Sequence, residues 1–298
     1  MNILLFGSNG QVGWELQRSL APLGEVIALE RREANLAEPE SLRALIRKIS
    51  PQAIVNAAAY TAVDKAESEP KLARCINVTA PAIIAEEAAA IDAWFVHYST
   101  DYVFDGHKKD SGYTETDATN PLSVYGQTKL EGELAVQAAC ANTLIFRTSW
   151  VYAARGNNFA KTMLRLARER DQLAVVSDQW GAPTSAELIA DVTAHCLHQA
   201  MAKPSLKGLY HLTAGGETNW HGYACYVLEQ AMTLGHRLKI KPSGVAALAT
   251  ADYPFPARRP ANSRLDTTQL QTAFGLYLPD WKVHLNRMLK EISGELPQ

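Results

Sequence analysis

Continuously apolar runs alternate with segments of helical periodicity over the first half of the chain. The first run, residues 3–6 (I-L-L-F), leads directly into Gly7. A run without a polar face is typical of a parallel strand that helices cover on both sides. Val12, Leu16 and Leu20 then recur at helical spacing. This stretch predicts a buried strand, a glycine turn and an amphipathic helix.

The same alternation continues to about residue 150. Further strands are predicted at 26–29, 53–55, 94–98 and 143–146. Helices are predicted at 42–49, at 72–91 and after Tyr125. Regular alternation of this kind predicts an α/β fold, a Rossmann-type doubly wound parallel sheet with helices on both faces and right-handed crossovers.

After residue 150 the alternation becomes irregular. Helical patterns at 159–168, 186–198, 222–234 and 281–292 are separated by segments that carry proline and glycine. We expect residues 1–150 to form a dinucleotide-binding domain. Residues 151–298 are then mainly a smaller, interleaved C-terminal substrate lobe, with some segments returning to the Rossmann domain.

The composition is that of an ordinary globular protein. Of 298 residues, 47% are hydrophobic and 20% are charged, and the net charge is -2. This balance predicts no binding to nucleic acid or to an anionic membrane, and no apolar stretch approaches the ~20 residues of a membrane helix. The four cysteines form no C-x-x-C pair and the first residues show no signal-peptide pattern. A reducing, cytoplasmic location is therefore expected.

Three glycines follow the first strand. Gly7, Gly10 and Gly13 are spaced G-x-x-G-x-x-G. The dehydrogenase fingerprint is G-x-G-x-x-G, so the gap between the first two glycines is one residue longer here. Such a turn lets the backbone approach a pyrophosphate, and the next helix points its first amides at the phosphate charge. A merely tight strand-to-helix turn is the alternative. The position between a buried strand and an amphipathic helix favours cofactor binding.

The end of the second strand gives two opposing indications about the cofactor. Glu30 lies where such folds place an acid against the adenosine ribose, which favours NAD. Arg31 and Arg32 follow, and guanidinium groups accept the 2′-phosphate of NADP. A solvated charge cluster is the alternative for each arginine. We predict that NADPH and NADH are both used, with a preference for NADPH.

Tyr125 and Lys129 lie four residues apart at the start of a predicted helix, so both occupy one face. A free tyrosine titrates near pH 10, and a nearby ammonium is expected to lower its pKa toward neutrality. A hydroxyl that hydrogen-bonds a carbonyl under reduction belongs after the fourth strand, where Ser99 and Thr100 fall. The pair alone occurs by chance in many proteins, but its combination with the glycine turn indicates a nicotinamide-dependent reductase.

Six segments carry a resemblance that covers essentially the whole chain: 7–13, 56–64 (N-A-A-A-Y-T-A-V-D), 99–104 (S-T-D-Y-V-F), 125–129 (Y-G-Q-T-K), 147–152 (R-T-S-W-V-Y) and 256–260 (P-A-R-R-P). Through them the chain resembles the extended short-chain dehydrogenase/reductase family, and within it the reductases that make dTDP-L-rhamnose. The resemblance implies NADPH- or NADH-dependent reduction of the C4 carbonyl of dTDP-4-dehydro-6-deoxy-L-mannose, a step toward cell-surface polysaccharide.

The resemblance also implies residue roles. Tyr125 would give a proton to the C4 oxygen, Lys129 would hold the nicotinamide ribose, and Thr100 would supply the hydroxyl. The cofactor-binding positions would be Gly7, Asn9, Gly10, Gln11, Val12, Gly13, Glu30, Arg31, Asn35, Leu36, Ala59, Tyr60, Thr61, Tyr125 and Lys129. The substrate contacts would be Thr100, Asp101, Trp150, Arg258 and Arg259, of which the two arginines, flanked by prolines, suit a diphosphate clamp or else form an exposed basic loop.

Two rival functions differ in what they require of the site. Dehydratases of dTDP-glucose, which resemble this chain, carry an Asp-Glu pair after the threonine, whereas Tyr102 follows Asp101 here. Elimination of water is therefore disfavoured. A non-catalytic regulator, similar to the beta subunit of methionine adenosyltransferase, or a related sugar-nucleotide epimerase or reductase remains the alternative; a regulator has no need to keep Thr100, Tyr125 and Lys129 together.

The resemblance further implies a homodimer bridged by Mg²⁺ that glutamates hold. Alignment of the matching segments would place these ligands at Glu15, Glu187 and Glu291. The alternative is that these glutamates are merely solvated on helix surfaces. Four tryptophans outside the motifs are predicted to be packing residues: Trp14, Trp180, Trp220 and Trp281.

Overall fold

The computed structural model describes residues 1–253 and 255–294. In these ranges the strands are β1 (Asn2–Phe6), β2 (Glu25–Leu29), β3 (Ala53–Asn56), β4 (Trp94–Thr100), β5 (Thr143–Thr148), β6 (Val151–Tyr152), β7 (Leu173–Val176), β8 (Trp180–Gly181), β9 (Thr184–Ser185), β10 (Gly208–His211), β11 (Thr218–Asn219) and β12 (Val245–Leu248). The α-helices are α1 (Gln11–Leu20), α2 (Pro39–Ile49), α3 (Val63–Ala66), α4 (Pro70–Arg74), α5 (Ala80–Ala90), α6 (Val124–Ala139), α7 (Phe159–Glu169), α8 (Ala186–Ala202), α9 (Trp220–Thr233), α10 (Thr268–Phe274) and α11 (Trp281–Ser293).

The main sheet confirms the predicted Rossmann-type architecture. Its six strands are ordered β10-β5-β4-β3-β1-β2, and all of its neighbouring pairs are parallel. The four apolar residues of β1 that precede Gly7 are fully buried. Burial on both sides accounts for the absence of a polar face in that run.

Each face of the sheet has its own hydrophobic core. Successive side chains of a strand point to opposite faces, so Ile3 and Leu5 join one core while Leu4 and Phe6 join the other. Residues of α1 and α8 pack into the first core, and residues of α2 and α5 into the second. The helical spacings seen in the sequence are therefore the inward faces of these helices.

Part of the chain after residue 150 completes the sheet. Strand β10 pairs with β5 at the sheet edge, and α8 packs against α1. The sequence pattern did not predict β10, because it has four residues, begins with Gly208 and ends with a polar His211. The other strands after residue 150 form three small two-stranded sheets, β6 with β9, β7 with β12 and β8 with β11.

The carboxyl ends of β1, β3, β4 and β5 lie at the same edge of the main sheet, since these strands are parallel neighbours. Ligands of open α/β sheets bind at this edge. The loops that follow these strands carry most of the predicted site residues. None of the helices in the described ranges has both the length and the apolarity that crossing a bilayer requires.

Candidate active site

A cleft of about 640 Å³ follows the carboxyl edge of the sheet. It is lined by these predicted site residues: Gly7, Asn9, Gly10, Gln11, Val12, Arg31, Asn35, Leu36, Ala59, Thr61, Thr100, Asp101, Tyr125, Lys129, Trp150 and Arg259. The glycine loop, the tyrosine–lysine pair and the expected substrate contacts thus share one continuous cavity. Its volume lies within the usual range for ligand pockets.

The glycine loop is shaped to bring backbone close to a ligand. Gly7 has a φ of 79°, and a Cβ there would lie 2.8 Å from the Ala58 nitrogen. Gly13 does not line the cleft, but a Cβ on it would lie 2.0 Å from the Gly7 carbonyl oxygen, so this glycine lets α1 pack against the loop. Gly10 caps α1 without a side-chain hydrogen bond, and the first turn of α1 has no acidic residue. Its first amides are therefore available to an anion such as a diphosphate.

The far end of the cleft beside β2 presents a guanidinium group. Arg31, Asn35 and Leu36 line it, whereas Glu30 does not. The Glu30 carboxylate lies 3.5 Å from the Nε atom of Arg32, which is exposed. The positive charge that lines this end of the cleft therefore belongs to Arg31, whereas the Glu30 carboxylate pairs with Arg32.

Lys129 is held at the base of the cleft. Ser123 caps α6 by accepting a hydrogen bond from the Gly126 amide at 3.2 Å, which fixes the start of this helix. The Lys129 side chain is buried, and its Nζ donates a hydrogen bond to the Tyr98 carbonyl at 2.6 Å. Burial lowers the Lys129 pKa to about 8, against the opposing effect of the Glu133 carboxylate.

The Tyr125 hydroxyl does not have the lowered pKa that the sequence suggested. Burial raises its pKa above the ordinary value, the Thr100 hydroxyl acts in the opposite direction, and the charge of Asp101 raises it further. The physical reason is that loss of water disfavours phenolate more than the surroundings favour it. A raised pKa keeps Tyr125 protonated at neutral pH, which is the form that a proton donor to a carbonyl needs.

Thr100 ends β4, and Asp101 begins the helical turn that follows it at the edge of the cleft. The Thr100 Oγ1 accepts a hydrogen bond from the Tyr102 amide at 3.2 Å and donates one to Asp101 Oδ1 at 3.0 Å. Asp101 is 2% exposed. Burial raises its pKa to about 6, and the hydroxyls of Ser263 and Thr100 act in the opposite direction.

Two tryptophans form an aromatic wall at the other side of the cleft. Trp150 has a φ of 48°, a conformation that costs about 1–3 kcal/mol for a non-glycine residue. Its ring stacks on that of Trp220, with centroids 3.8 Å apart and planes inclined by 18°. A Cβ on Gly181 would lie 2.8 Å from the Trp150 ring, so this glycine makes room for the stack. Strain at Trp150 is thus offset by packing on both of its sides.

The predicted packing role of the other tryptophans holds for one of them. Trp281 is buried, but Trp14 and Trp180 are 47% and 40% exposed, so the prediction for these two was wrong. Trp14 instead carries the Arg155 guanidinium 4.1 Å from its ring centroid. Periodicity does not distinguish an inward aromatic residue from one that packs under a surface arginine.

Some predicted residues do not line the cleft. The Tyr60 hydroxyl donates to Glu69 at 2.7 Å, which directs it away from a cofactor role, although its neighbours Ala59 and Thr61 line the wall. Arg258 is exposed, whereas Arg259 lines the cleft and donates from Nη2 to Asp64 Oδ2 at 2.8 Å. Only the second arginine therefore borders the cleft.

Several residues of the cleft were not predicted from the sequence. They are Ala34, Ala57, Ala58, Val63, Ile76, Tyr98, Tyr102, Thr148, Ser149, Val151 and Trp220, while Ser99, named with Thr100 as the place of the hydroxyl, also lines the cleft. Thr148 ends β5 and Ser149 follows it, so the rule that sites lie at the carboxyl ends of parallel strands would have found them. Trp220 has no such signal, because it begins α9 in the irregular second half.

The three glutamates proposed as metal ligands lie on α1, α8 and α11. Burial, together with the charges of Glu187 and Glu291, raises the Glu15 pKa, so the three carboxylates are within electrostatic range of one another. Glu187 pairs with Arg287 at 3.1 Å, and Arg18 lies 3.6 Å from Glu15. Within the described part of this single chain, no group of three or more such side chains is arranged to hold an ion.

Comparison with known proteins gives a consistent result. Residues 1–293 match the model of the RmlD substrate binding domain family. The dTDP-4-dehydrorhamnose reductase of Escherichia coli (strain K12) is 57% identical over 296 residues, which cover 98% of either chain. A solved structure of such a reductase from Clostridium acetobutylicum ATCC 824 has a TM-score of 0.90 at 35% identity, covering 98% of this chain and 99% of that one. The corresponding structure from Bacillus anthracis str. Ames, in complex with NADP, has a TM-score of 0.89 at 32% identity, covering 97% and 99%.

Proposed function

The chain belongs to the RmlD substrate binding domain family, and on that premise we propose that it reduces the C4 carbonyl of dTDP-4-dehydrorhamnose to give dTDP-L-rhamnose. One observation carries the proposal. The glycine loop, Tyr125, Lys129 and Thr100 all line a single cleft. This combination provides for a dinucleotide at one end and for carbonyl reduction at the other.

The glycine loop and α1 fit a dinucleotide. The unpartnered amides at the start of α1 would bind the diphosphate, and Arg31 would lie at the adenosine end. NADPH, when bound there, supplies the hydride that C4 accepts. Because Arg31 lines the cleft while Glu30 is engaged by Arg32, we propose that NADPH is preferred and that NADH is also used.

The side chains around the carbonyl donate the proton, hold the cofactor and position the reacting groups. Tyr125, protonated at neutral pH, donates its proton to the C4 oxygen. Lys129 is fixed on the Tyr98 carbonyl and holds the nicotinamide ribose. Thr100 adjoins the phenol of Tyr125 and holds that hydroxyl beside the reacting oxygen.

The sugar nucleotide would occupy the part of the cleft that the second half of the chain encloses. We assign substrate contacts to Asp101 and Trp150 and a diphosphate contact to Arg259, all of which line the cleft. In this assignment residues 1–150 bind mainly the dinucleotide, and the later residues bind mainly the substrate. The exposed Arg258 has a smaller role, at the outer edge of the diphosphate site.

The site distinguishes reduction from its rivals. Tyr102 takes the place of the second carboxylate that water elimination uses, and its ring meets that of Tyr125 edge-on at 5.5 Å. A regulatory protein would not require a buried lysine and a protonated tyrosine in the same cleft. The arrangement therefore supports an enzyme.

Oxidation of NADPH in the presence of the 4-keto sugar nucleotide tests the proposal. Tyr125→Phe is expected to lower kcat by about 10²–10⁴-fold, because the proton donor is lost. Tyr277→Phe is a matched control, since Tyr277 is 82% exposed, and it should behave as wild type. Turnover that Tyr125→Phe leaves unchanged would contradict the mechanism, and a wild type without turnover would contradict the function.

We also propose that the enzyme is a cytoplasmic homodimer and that Glu15, Glu187 and Glu291 hold Mg²⁺ between two copies. Carboxylates are the ligands that Mg²⁺ prefers, and a cation would relieve the mutual repulsion that raises the Glu15 pKa. A second chain would have to complete the site, because the described part of one chain does not. Light scattering with and without EDTA tests this: a dimer that persists unchanged after metal removal would exclude a bridging role.

A further inference from the structure

Three side chains form a continuous series at the reacting end of the cleft. Asp101 Oδ1 accepts a hydrogen bond from Thr100 Oγ1 at 3.0 Å. Tyr125 lines the same cleft beside Thr100, and the Thr100 hydroxyl is close enough to lower the pKa of the phenol. All three residues line the cleft, and Thr100 and Asp101 are both at most 5% exposed. Tyr125, which touches the substrate, is therefore linked to a buried carboxyl group through one hydroxyl.

Whether Asp101 carries a proton determines which group donates and which accepts in each hydrogen bond of this series. With Asp101 ionised, Thr100 donates to Asp101, and Tyr125 donates to Thr100. Both hydroxyl protons then point toward the carboxylate, and none is directed at a substrate carbonyl. With Asp101 protonated, Asp101 donates to Thr100 and Thr100 donates to Tyr125, which leaves the phenol proton free for the C4 oxygen.

Thr100 has the hydrogen-bonding capacity for either direction. Its oxygen has two lone pairs and one proton, and the Tyr102 amide uses one lone pair at 3.2 Å. The second lone pair accepts from Tyr125 in one state and from Asp101 in the other. The fixed amide contact thus leaves the reversal unobstructed.

The environment of Asp101 suits a group that gains and loses a proton. Its Oδ2 is buried and makes no hydrogen bond of normal geometry with the described residues, which disfavours a permanent charge. The titratable groups that face it are Tyr102 and Tyr125, and the Ser263 hydroxyl adjoins it from the C-terminal segment. Arg259 is close enough to Tyr102 to lower the pKa of that phenol.

We propose that Asp101 is a proton-relay residue that aims and replenishes the Tyr125 proton through Thr100. In the reaction, Tyr125 transfers its proton to the C4 oxygen as hydride reaches C4. The resulting phenolate takes the Thr100 proton, Thr100 takes the Asp101 proton, and Asp101 regains a proton (H⁺) from bulk solvent, delivered through water in the cleft. The single proton that reduction consumes thus enters at Asp101, and no further reactant is needed. This inference rests on the proposed reduction.

The pH profile of kcat tests the relay. Wild-type kcat is expected to fall as the pH rises through the range around 6, where Asp101 loses its proton. Asp101→Asn should remove this dependence, because an amide does not titrate, and should lower kcat at pH 6 by roughly 10²-fold. Thr100→Ala should also remove it with Asp101 intact, whereas Thr100→Ser should retain it. A residue that only binds the sugar would change KM and leave the shape of the kcat profile alone.

A titration by carboxyl ¹³C NMR measures the same link without turnover. The Thr100 hydroxyl lowers the Asp101 pKa, so Thr100→Ala is expected to raise its midpoint and Thr100→Ser to leave it near the wild-type value. Two results would overturn the relay. One is a kcat of Asp101→Asn that still falls near pH 6, and the other is an NMR midpoint of Asp101 that Thr100→Ala leaves unchanged. A wild-type protein that does not reduce the sugar nucleotide would instead overturn the proposed function. The NMR midpoint would still show whether Thr100 is coupled to Asp101.

Discussion

At Lys129, burial and a neighbouring charge act in opposite directions on one ammonium group. Burial lowers its pKa to about 8, and the Glu133 carboxylate, one helical turn along α6, opposes that shift. Glu133 is itself buried and accepts two hydrogen bonds from Arg147, at 2.9 and 2.7 Å. The charge state of the lysine is thus set by a buried ion pair that does not line the cleft.

We therefore expect the fall of kcat/KM with rising pH to steepen by a further tenfold per pH unit above about 8, because Lys129 loses its proton there in addition to Asp101. Glu133→Gln removes the favourable charge, so this alkaline limb should move to lower pH. A pH–rate profile checks both statements. Glu131 lies on the same helix but pairs with Arg74 at the surface, so Glu131→Gln should leave the alkaline fall of kcat/KM at the same pH. An equal shift in both variants would mean that a group other than Lys129 causes this fall.

Cofactor preference is determined by single residues at the end of β2. Arg31→Ala should reduce the ratio of kcat/KM for NADPH to that for NADH by about tenfold, which corresponds to about 1.4 kcal/mol. The reason is loss of the guanidinium that lines the adenosine end of the cleft. Steady-state kinetics with both cofactors measure the ratio. Arg32→Ala is the matched control, since Arg32 is 79% exposed and outside the cleft; an equal effect in the control would contradict the role of Arg31.

The positions of Tyr125 and Lys129 could be predicted from the sequence, whereas the Tyr125 pKa could not. Residue type and spacing were sufficient to bring Tyr125 and Lys129 to one face of a helix. The direction of the Tyr125 pKa shift was not accessible, because it depends on how much water the folded cleft removes. The charge of a lysine is visible in a sequence, whereas the desolvation of a phenol is not.

At the scale of elements, a buried asparagine joins two segments of the site. Asn77 lies in the π-helical turn Cys75–Thr79, which connects α4 to α5. It accepts from the Tyr60 amide at 2.9 Å and donates to the Tyr60 carbonyl at 3.1 Å and to Thr128 Oγ1 at 3.2 Å. The cleft-lining segment after β3 is thereby tied to α6, which carries Tyr125 and Lys129.

Asn77→Ala should lower the free energy of unfolding by on the order of 3 kcal/mol, because it leaves the Tyr60 backbone groups without partners in a buried place. Urea denaturation measures this loss. The variant should also lose kcat, since Tyr60 and α6 are no longer held together. Asn142→Ala, which removes an exposed hydrogen bond to Asp92, should change the stability by less than about 1 kcal/mol; equal losses would show that burial of Asn77 does not matter.

Five strands of the main sheet and the longer helices followed from the hydrophobic pattern, whereas the seven strands after residue 150 did not. The apolar run of β1 and the spacing of Leu16 and Leu20 identify elements that are long enough to repeat a pattern. Strand β10 and the π-helical turn are too short to show a period, and their form is imposed by the neighbours they pack against. Local pattern therefore predicted the framework but not the pieces that tertiary contacts define.

At the scale of the whole molecule, the two halves of the chain share one core. The edge position next to β5 is filled by β10, and Leu188 and Ile189 of α8 pack into the same core as Leu16 and Leu20 of α1. The hydrophobic core therefore extends across residue 150, where the sequence pattern predicted a boundary. Contacts between distant segments of this kind cannot be read from a local pattern.

This sharing leads to a prediction about a fragment of residues 1–150. Without β10 the edge of β5 is unpaired, and without α8 the inward face of α1 exposes Leu16 and Leu20 to water, at a cost of about 1.5–3 kcal/mol for each fully buried leucine. A net stability of about 5–15 kcal/mol does not tolerate many such losses. We expect the fragment to lack a cooperative urea transition, whereas the full chain should show one. Circular dichroism on both checks this, and a sharp transition in the fragment would mean that the first half folds independently.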